Sequence, residues 1–443
     1  MSLGVLTFRG GVHAPHRKND TRNKAIEIMK APGLVYIPLQ QHIGAACQPL
    51  VKPGDVVKLG QKIGEPGGFV GAPVHASVSG IVKDIRQVPH PSVGSGLAVV
   101  IENDGKDEPD DSITPGDISS MDADRIKELI LEAGIVGMGG AAFPTHVKLS
   151  PPKEKPIDTV ILNGAECEPY LTADHRLMLE AAEDVADGLK VIMKVLGVER
   201  AYIAIEDNKP DAVRIMTDTV KEVQGVDVTV LKTKYPQGAE KQLIYVVTGR
   251  QVPSGGLPMD VGVIVSNVGT SAAIARAIKT GMPLVERVVT VTGSGVAEPK
   301  NLMVRIGTSF MDVIQACGGF VEEPAKVISG GPMMGIGQYT LDVPVIKGTS
   351  GILVLTREEA KIPDVEPCIR CAKCVDACPM GLMPLMISAY ALKEDYDNSE
   401  KFHAMDCIEC GCCSYSCPAK RPLVQSIRVA KKMITDKRKR AAG

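Results

Sequence analysis

The chain has 443 residues, a formal net charge of −2 and an apolar content of 44%. That length supports about three domains, each large enough to bury a core of its own. With no Trp, only 6 Phe and 9 Tyr and no excess of basic residues, the composition excludes a stacking or electrostatic platform for nucleic acid. No run approaches the roughly 18 apolar residues of a membrane span.

Residues 1–100 read as β-rich: VKPGDVVKLGQKIGE, GAPVHASVSGIVKDI and SGLAVVIEN are short apolar stretches punctuated by Gly and Pro. The acidic stretch from Glu102 to Asp111 reads as a linker. Asp122 can then cap a helix running through DADRIKELILEAG. A Gly-rich turn, GIVGMGGAAFPTHVK, follows it. Strand-like DTVILNG, RAYIAIE and VDVTVLK alternate with helical patterns at ADHRLMLEAAEDVADGLKVIMKVLG and KPDAVRIMTDTVKEVQ, which argues for a parallel α/β sheet. Residues 286–355 turn β-rich again around one helix, SFMDVIQACGG, as suits a small β-grasp unit. A cysteine-rich segment with two helices, near Pro384–Lys393 and Leu423–Thr435, completes the chain.

Nine of the twelve cysteines fall between Cys368 and Cys417. Met1–Gly11 has no apolar core of an export signal. Metal binding in the reducing cytoplasm is therefore expected rather than disulfides. Cys368, Cys371, Cys374 and Cys378-Pro379 repeat the spacing of Cys407, Cys410, Cys413 and Cys417-Pro418. Each run has the bacterial ferredoxin pattern, in which three thiolates hold one cubane and the fourth crosses to the other. The expected sets are Cys368, Cys371, Cys374 and Cys417 for cluster one, and Cys407, Cys410, Cys413 and Cys378 for cluster two. Four-thiolate zinc sites are the competing chemistry. Cys47, Cys167, Cys317 and Cys412 are expected to be unligated, and His13, His16, His42 and His75 structural. The tail from Pro418 carries nine Lys/Arg against one Asp, either a solvated helix end or a docking surface.

Gly137, Gly139 and Gly140 let backbone N–H groups approach a phosphate, although a tight turn packed on the sheet explains them equally. The dinucleotide fingerprint, GxGxxG directly after a strand, is absent here. Lys148 could neutralise a phosphate or reach a flavin ring. Asn163, Glu166 and Glu168 lie just beyond a strand end, where parallel sheets bind ligands; capping the turn is their alternative role.

GMGGAAFPTHVK followed by NGAECEP resembles the flavin site of the 51-kDa NADH-binding subunit of respiratory complex I. Together with FRGGVHAPHRKNDT, KYPQGAEKQLI, VSNVGT, GGPMMG and the double cysteine run, the whole chain resembles the C subunit family of the Rnf complex. The resemblance implies FMN on Gly137, Gly139, Gly140, Lys148, Asn163, Glu166, Gly238 and Asn267. It implies NAD(H) as substrate, held by Glu168 and Glu240 with Phe143 and Tyr235 nearby; Glu168 and Lys148 are the residues expected to act in hydride exchange. Met138 stands where the complex I loop has a basic residue.

The fold so implied is multidomain, α/β and α+β. It comprises a biotinyl/lipoyl-like barrel-sandwich over 1–110, a Rossmann-like flavin domain over 115–285, a soluble-ligand-binding β-grasp domain over 286–358, and a helical two-[4Fe–4S] ferredoxin domain over 359–443. The hairpin turn GEPGGFVGAP has no lysine for a swinging cofactor, so a structural or docking module is expected. The function implied is hydride exchange between NAD(H) and FMN, with single electrons passing to the two clusters. Partners would be the integral membrane Rnf subunits, the ferredoxin-like B subunit and ferredoxin. The chain would sit peripherally on the cytoplasmic face of the cell membrane. Other readings are a cobalamin reductase of a bacterial microcompartment and a non-enzymatic electron wire.

Overall fold

The computed structural model describes residues 5–442. Strands Leu34–Pro38, Val56–Val57, Gly80–His90 and Gly94–Asn103 form an antiparallel sheet. A second sheet of Gln48–Pro49, Lys62–Glu65 and Val74–His75 completes the module. Val35, Ile37, Ile63, Val74, Val99 and Ile101 are buried together between them, at the every-other-residue spacing that half-buried strands require. The expected barrel-sandwich is present.

The next unit is a parallel sheet of Thr159–Gly164, Ala201–Glu206, Val226–Leu231 and Val263–Asn267. Val160 and Leu162 face one core with helices Ala182–Leu196 and Val268–Thr280, while Ile161 faces another with helix Glu240–Thr248. Cover on both faces explains why these strands read as continuous apolar runs. Across the sheet the order is 226–231, 201–206, 159–164, 263–267. The winding reverses between the last two, so a crevice opens beyond their carboxyl ends. Asp122 caps the helix Ala123–Glu132 by accepting from the Arg125 N–H. The single helical pattern through residues 173–196 is instead two helices, 173–180 and 182–196, broken at Ala181. The break lets the first helix turn toward strand Glu286–Thr292 while the second packs along Val268–Thr280.

Strand Glu286–Thr292 opens a six-stranded mixed sheet with Lys300–Arg305, Gly351–Leu355, Lys326–Ser329 and Ile336–Gln338. Its sixth strand is Ile26–Ile28, which pairs in parallel with Lys300–Arg305. Residues 6–28 therefore run outside the barrel-sandwich: Leu6 pairs with Leu231 and Val12 with Tyr235 before the strand joins the β-grasp sheet. The cysteine segment is helical, with Pro384–Ala391, Tyr396–Lys401 and Leu423–Ala442 around small cores that include the thiols. Four of the basic tail residues are ion-paired within it: Arg428 and Lys431 with Glu409, Lys437 with Asp397, and Arg438 with Glu400. Among the described residues no helix is long and apolar enough to cross a membrane.

The closest helix contact in the parallel-sheet unit depends on Gly188, where a Cβ would lie 1.8 Å from the Ser271 carbonyl oxygen. Gly188→Ala is expected to pry helix 182–196 from helix 268–280 and cost about 3 kcal/mol, read as a lowered denaturant midpoint.

Candidate functional site

Two features meet at the crevice of the parallel sheet. Asn163 and Asn267 end adjacent strands in register. Asn267 also caps helix Val268–Thr280, accepting from the Gly269 N–H at 2.8 Å. Above this edge the Gly-rich turn folds back on itself, the Gly137 N–H donating to the Phe143 carbonyl at 2.9 Å. Thr270 Oγ1 pins it by accepting from the Met138 N–H at 2.9 Å. Gly139 is pressed against the Asn267 amide, 2.7 Å from any added Cβ, whereas Gly140 faces open space. The N–H groups of Gly139, Gly140 and Ala141 are exposed and find no acceptor among the described residues. Free amides facing a helix N-terminus at a strand switch point suit a phosphate-bearing ligand. A groove of about 560 Å³ lies alongside helix 268–280, lined by Met138, Asp174, Gly269, Arg276 and Arg287.

The remaining predicted residues divide into two groups. Lys148 donates to the Val265 carbonyl at 2.9 Å and lies 3.5 Å from Glu240, a partly exposed pair. Asn163 donates to the Gly238 carbonyl at 2.9 Å and accepts from the Ala165 N–H, fastening the two loops to each other. Gly238 passes so close to the Ala165 carbonyl that a Cβ would lie 2.3 Å away. Glu166 caps helix 173–180, accepting from the Asp174 N–H at 2.9 Å. Glu168 turns to the β-grasp unit instead: its two oxygens accept from the Met333 and Met334 N–H groups at 3.1 and 2.9 Å. Burial raises its carboxyl to about 7 against the pull of those amides. Tyr235 is buried, with its hydroxyl unpartnered.

The sequence did not single out Lys18, Asp174 or Arg287. Lys18 Nζ is buried, donates to the carbonyls of Glu166 (2.8 Å) and Leu171, and stands 3.9 Å from the Glu166 carboxylate. Asp174 accepts from the Asn267 side-chain amide at 2.7 Å; burial, then Glu166, push its carboxyl up. Arg287 reaches from the first β-grasp strand to the Met138 and Lys347 carbonyls. A cation is thus brought beneath the loop from another unit, where the loop itself carries Met138. The barrel-sandwich docks here too: its hairpin-tip Phe69 packs edge-on against His146, and buried Lys347 donates to the carbonyls of Pro73 and Gly134 at 2.7 Å each.

The cysteines gather around two small cavities of about 20 Å³ each. One is lined by Cys368, Cys371, Cys374 and Cys417, the other by Cys407, Cys410, Cys413 and Cys378, with Cys412 beside them. Among the described residues no three His, Cys, Asp or Glu side chains converge as one ion would need. Four thiols at the paired CxxCxxCxxxCP spacing that do not converge on a single ion fit a cubane better than zinc. The second cavity lies against the parallel-sheet unit, where Cys410 and Cys412 pack with Tyr235, Cys167 and Met333. The first faces outward: Cys368 and Cys371 are exposed.

A nucleotide-type crevice joined to a double cubane fold defines an electron-transfer flavoprotein of the iron–sulfur class. Residues 6–106 match the RnfC barrel sandwich hybrid domain, 130–276 the Nuo51 FMN-binding domain, 288–337 the SLBB domain and 360–418 the 4Fe-4S dicluster domain. The chain is 55% identical over 441 residues to the C subunit of the Na(+)-translocating ferredoxin:NAD(+) oxidoreductase complex of Acetobacterium woodii, covering 99% of this chain and 100% of that one. It is 53% identical to the C subunit of the proton-translocating complex of Clostridium ljungdahlii, over 96% and 94% of the two chains. The chain belongs to the C subunit family of these Rnf-type complexes. An NAD+-reducing [NiFe]-hydrogenase structure shares the fold, with a TM-score of 0.50, 18% identity, and 72% of this chain and 64% of that one covered.

Lys18→Met leaves the Glu166 carboxylate buried without its cation, with an expected loss of about 3 kcal/mol in denaturant unfolding. For Glu168 the sign runs the other way from most carboxylates. Folded, it keeps its proton up to about pH 7, against 4.5 for the free group. Its contribution is therefore greatest at low pH and is lost as pH rises through 7. Glu168→Gln should gain stability relative to the natural chain between about pH 5 and about pH 8, read from paired denaturation midpoints.

Proposed function

We propose that this chain is the peripheral electron-transfer subunit of a membrane ferredoxin:NAD+ oxidoreductase of the Rnf type. FMN binds at the crevice, and two [4Fe–4S] clusters fill the thiol cavities. Bound FMN supplies two-electron exchange with NAD(H) and one-electron exchange with the clusters. The exposed amides of Gly139 and Gly140, with Gly137 shaping the turn, hold the flavin phosphate together with the helix N-terminus capped by Asn267. Asn163 and Gly238, fastened to each other, would line the site, and Glu166 fixes the helix that follows. Lys148 and Glu240, paired at the open side, meet the nicotinamide nucleotide, with Phe143 beside them. Glu168 keeps the loop in place through Met333 and Met334, and Tyr235 closes the site toward the clusters.

Cys407, Cys410, Cys413 and Cys378 ligate cluster two; Cys368, Cys371, Cys374 and Cys417 ligate cluster one. One observation carries the proposal: the second cavity abuts Tyr235 while the first opens to solvent. So held, cluster two would lie on the flavin side and cluster one on the outward side, which would give one-electron exchange an order from the Tyr235 face to the Cys368–Cys371 face. Partners are the integral membrane subunits, the ferredoxin-like B subunit and ferredoxin, at the cytoplasmic face of the membrane. Ion movement belongs to the membrane subunits.

Anaerobically purified protein should hold FMN and roughly eight iron and eight sulfide per chain, and NADH should bleach both chromophores. Cys378→Ser should remove or alter cluster two and halt electrons at the flavin, leaving cluster one oxidised in EPR. Cys417→Ser should instead leave cluster two reducible by NADH and abolish onward transfer. Zinc in place of iron, or cluster one reduced normally in Cys378→Ser, would refute the assignment.

A further inference from the structure

The segment from Leu6 to Ile28 touches the parallel-sheet unit, the Cys378 turn and the β-grasp sheet in succession. Leu6 continues the edge of the parallel sheet beside Leu231, and Phe8 is buried in that unit's second core. Val12 exchanges two backbone hydrogen bonds with Tyr235, at 2.8 and 3.0 Å. Between Phe8 and Val12 the Gly11 N–H donates to the Ala377 carbonyl at 2.9 Å, next to the cluster-two ligand Cys378. Further on, Lys18 grips the Glu166 loop and Ile26–Ile28 enters the β-grasp sheet.

Two glycines make the central crossing possible. Gly10, at φ +83°, passes so near the Cys378–Pro379 turn that a Cβ would stand 2.8 Å from the Cys378 carbonyl oxygen. Gly11, at φ +76°, is equally close to the other wall, 2.6 Å from the Tyr235 carbonyl. Both dihedrals disfavour any side chain, and both contacts are to backbone, which cannot swing aside. The strap is thus laid between the turn that closes the flavin site and the turn that carries the crossing ligand of cluster two. Direct contacts alongside it are the packing of Cys410 and Cys412 on Tyr235, Gln242 donating to the Pro379 carbonyl at 3.0 Å, and Ser254 donating to Asp406 at 2.6 Å.

We propose that Gly10 and Gly11 are positioning residues for electron transfer: they set the separation between the flavin site and cluster two by serving as a side-chain-free spacer. This rests on the functional reading above. A methyl group at either position would push the Cys378 turn away from Tyr235 without touching the Gly-rich loop or the Lys148–Glu240 pair.

The test uses the full-length, anaerobically loaded chain and its Gly10→Ala, Gly11→Ala and Phe8→Leu variants. Flavin reduction by NADH, followed by rapid mixing, is expected to be unchanged in all of them. Its absence in the natural chain would sink the functional reading and not the spacer. The next step, cluster reduction by the reduced flavin, is expected to slow by roughly tenfold or more in the glycine variants. Phe8→Leu, which loosens the strap's anchor away from the cysteines, should slow it less. The EPR signal and midpoint potential of cluster two should shift in Gly10→Ala while those of cluster one do not. If the glycine variants fail to take up clusters, Phe8→Leu decides alone. A natural cluster-reduction rate in every loaded variant overturns the proposal.

Discussion

Carboxylates collect at the carboxyl edge of the parallel sheet, and their compensation organises the molecule. Glu206 ends its strand, Glu166 and Glu168 lie just beyond another, and Asp174 is on the helix that follows. A carboxylate removed from water must find a cation or several donors, or take up a proton. Glu206 is satisfied within its own unit by Lys209 at 2.8 Å, both side chains almost fully buried. The others are not. Glu166 needs Lys18 from the strap, Glu168 needs two amides of the β-grasp loop, and Asp174 sits near Arg287 of the first β-grasp strand. The ligand crevice is therefore assembled from at least three parts of the chain, and its electrostatics hold those parts together.

The same economy of parts shapes the electron route. The Gly330–Gly335 turn that receives Glu168 also touches the cysteine segment, since a Cβ on Gly411 would meet the Met333 carbonyl at 3.2 Å. Tyr235 lies on the other side of that junction. The dicluster unit has two small cores of its own, one of Leu382, Ile387, Ala404, Ile427 and Ile434, the other of Leu423 and Val424 with the thiols of Cys374, Cys413 and Cys417. Its position relative to the flavin crevice is fixed by these backbone contacts together with a small apolar cluster of Val12, Tyr235, Ala377, Cys410 and Cys412.

Much of this was legible in the sequence because it is local. The spaced thiols, the strand runs, the capped helix at Asp122 and the Gly-rich turn each announce themselves within a few residues. The cysteine pockets sort as the crossed pattern implies. What escaped was set by partners far along the chain. Nothing local to Ile26–Ile28 says that it will pair with residues 301–303. Lys18 and Arg287 look like ordinary surface bases until folding brings them to Glu166 and Met138. Glu168 reads as a ligand-facing carboxylate beside Glu166, yet its rotamer is decided by two amides more than 160 residues away.

The strap has a bearing on biosynthesis. Its binding sites are spread over the whole chain: Leu231 and Tyr235, then residues 301–303, then Ala377 and Cys378. At a ribosomal pace of roughly 5–20 residues per second, this segment waits tens of seconds for its last docking partner. The barrel-sandwich can fold behind it in that time, since its sheets draw only on residues 34–103. Closure of the strap over the Cys378 turn therefore waits for the chain to reach that turn, so the spacing between Tyr235 and Cys378 is set only once both of its walls exist.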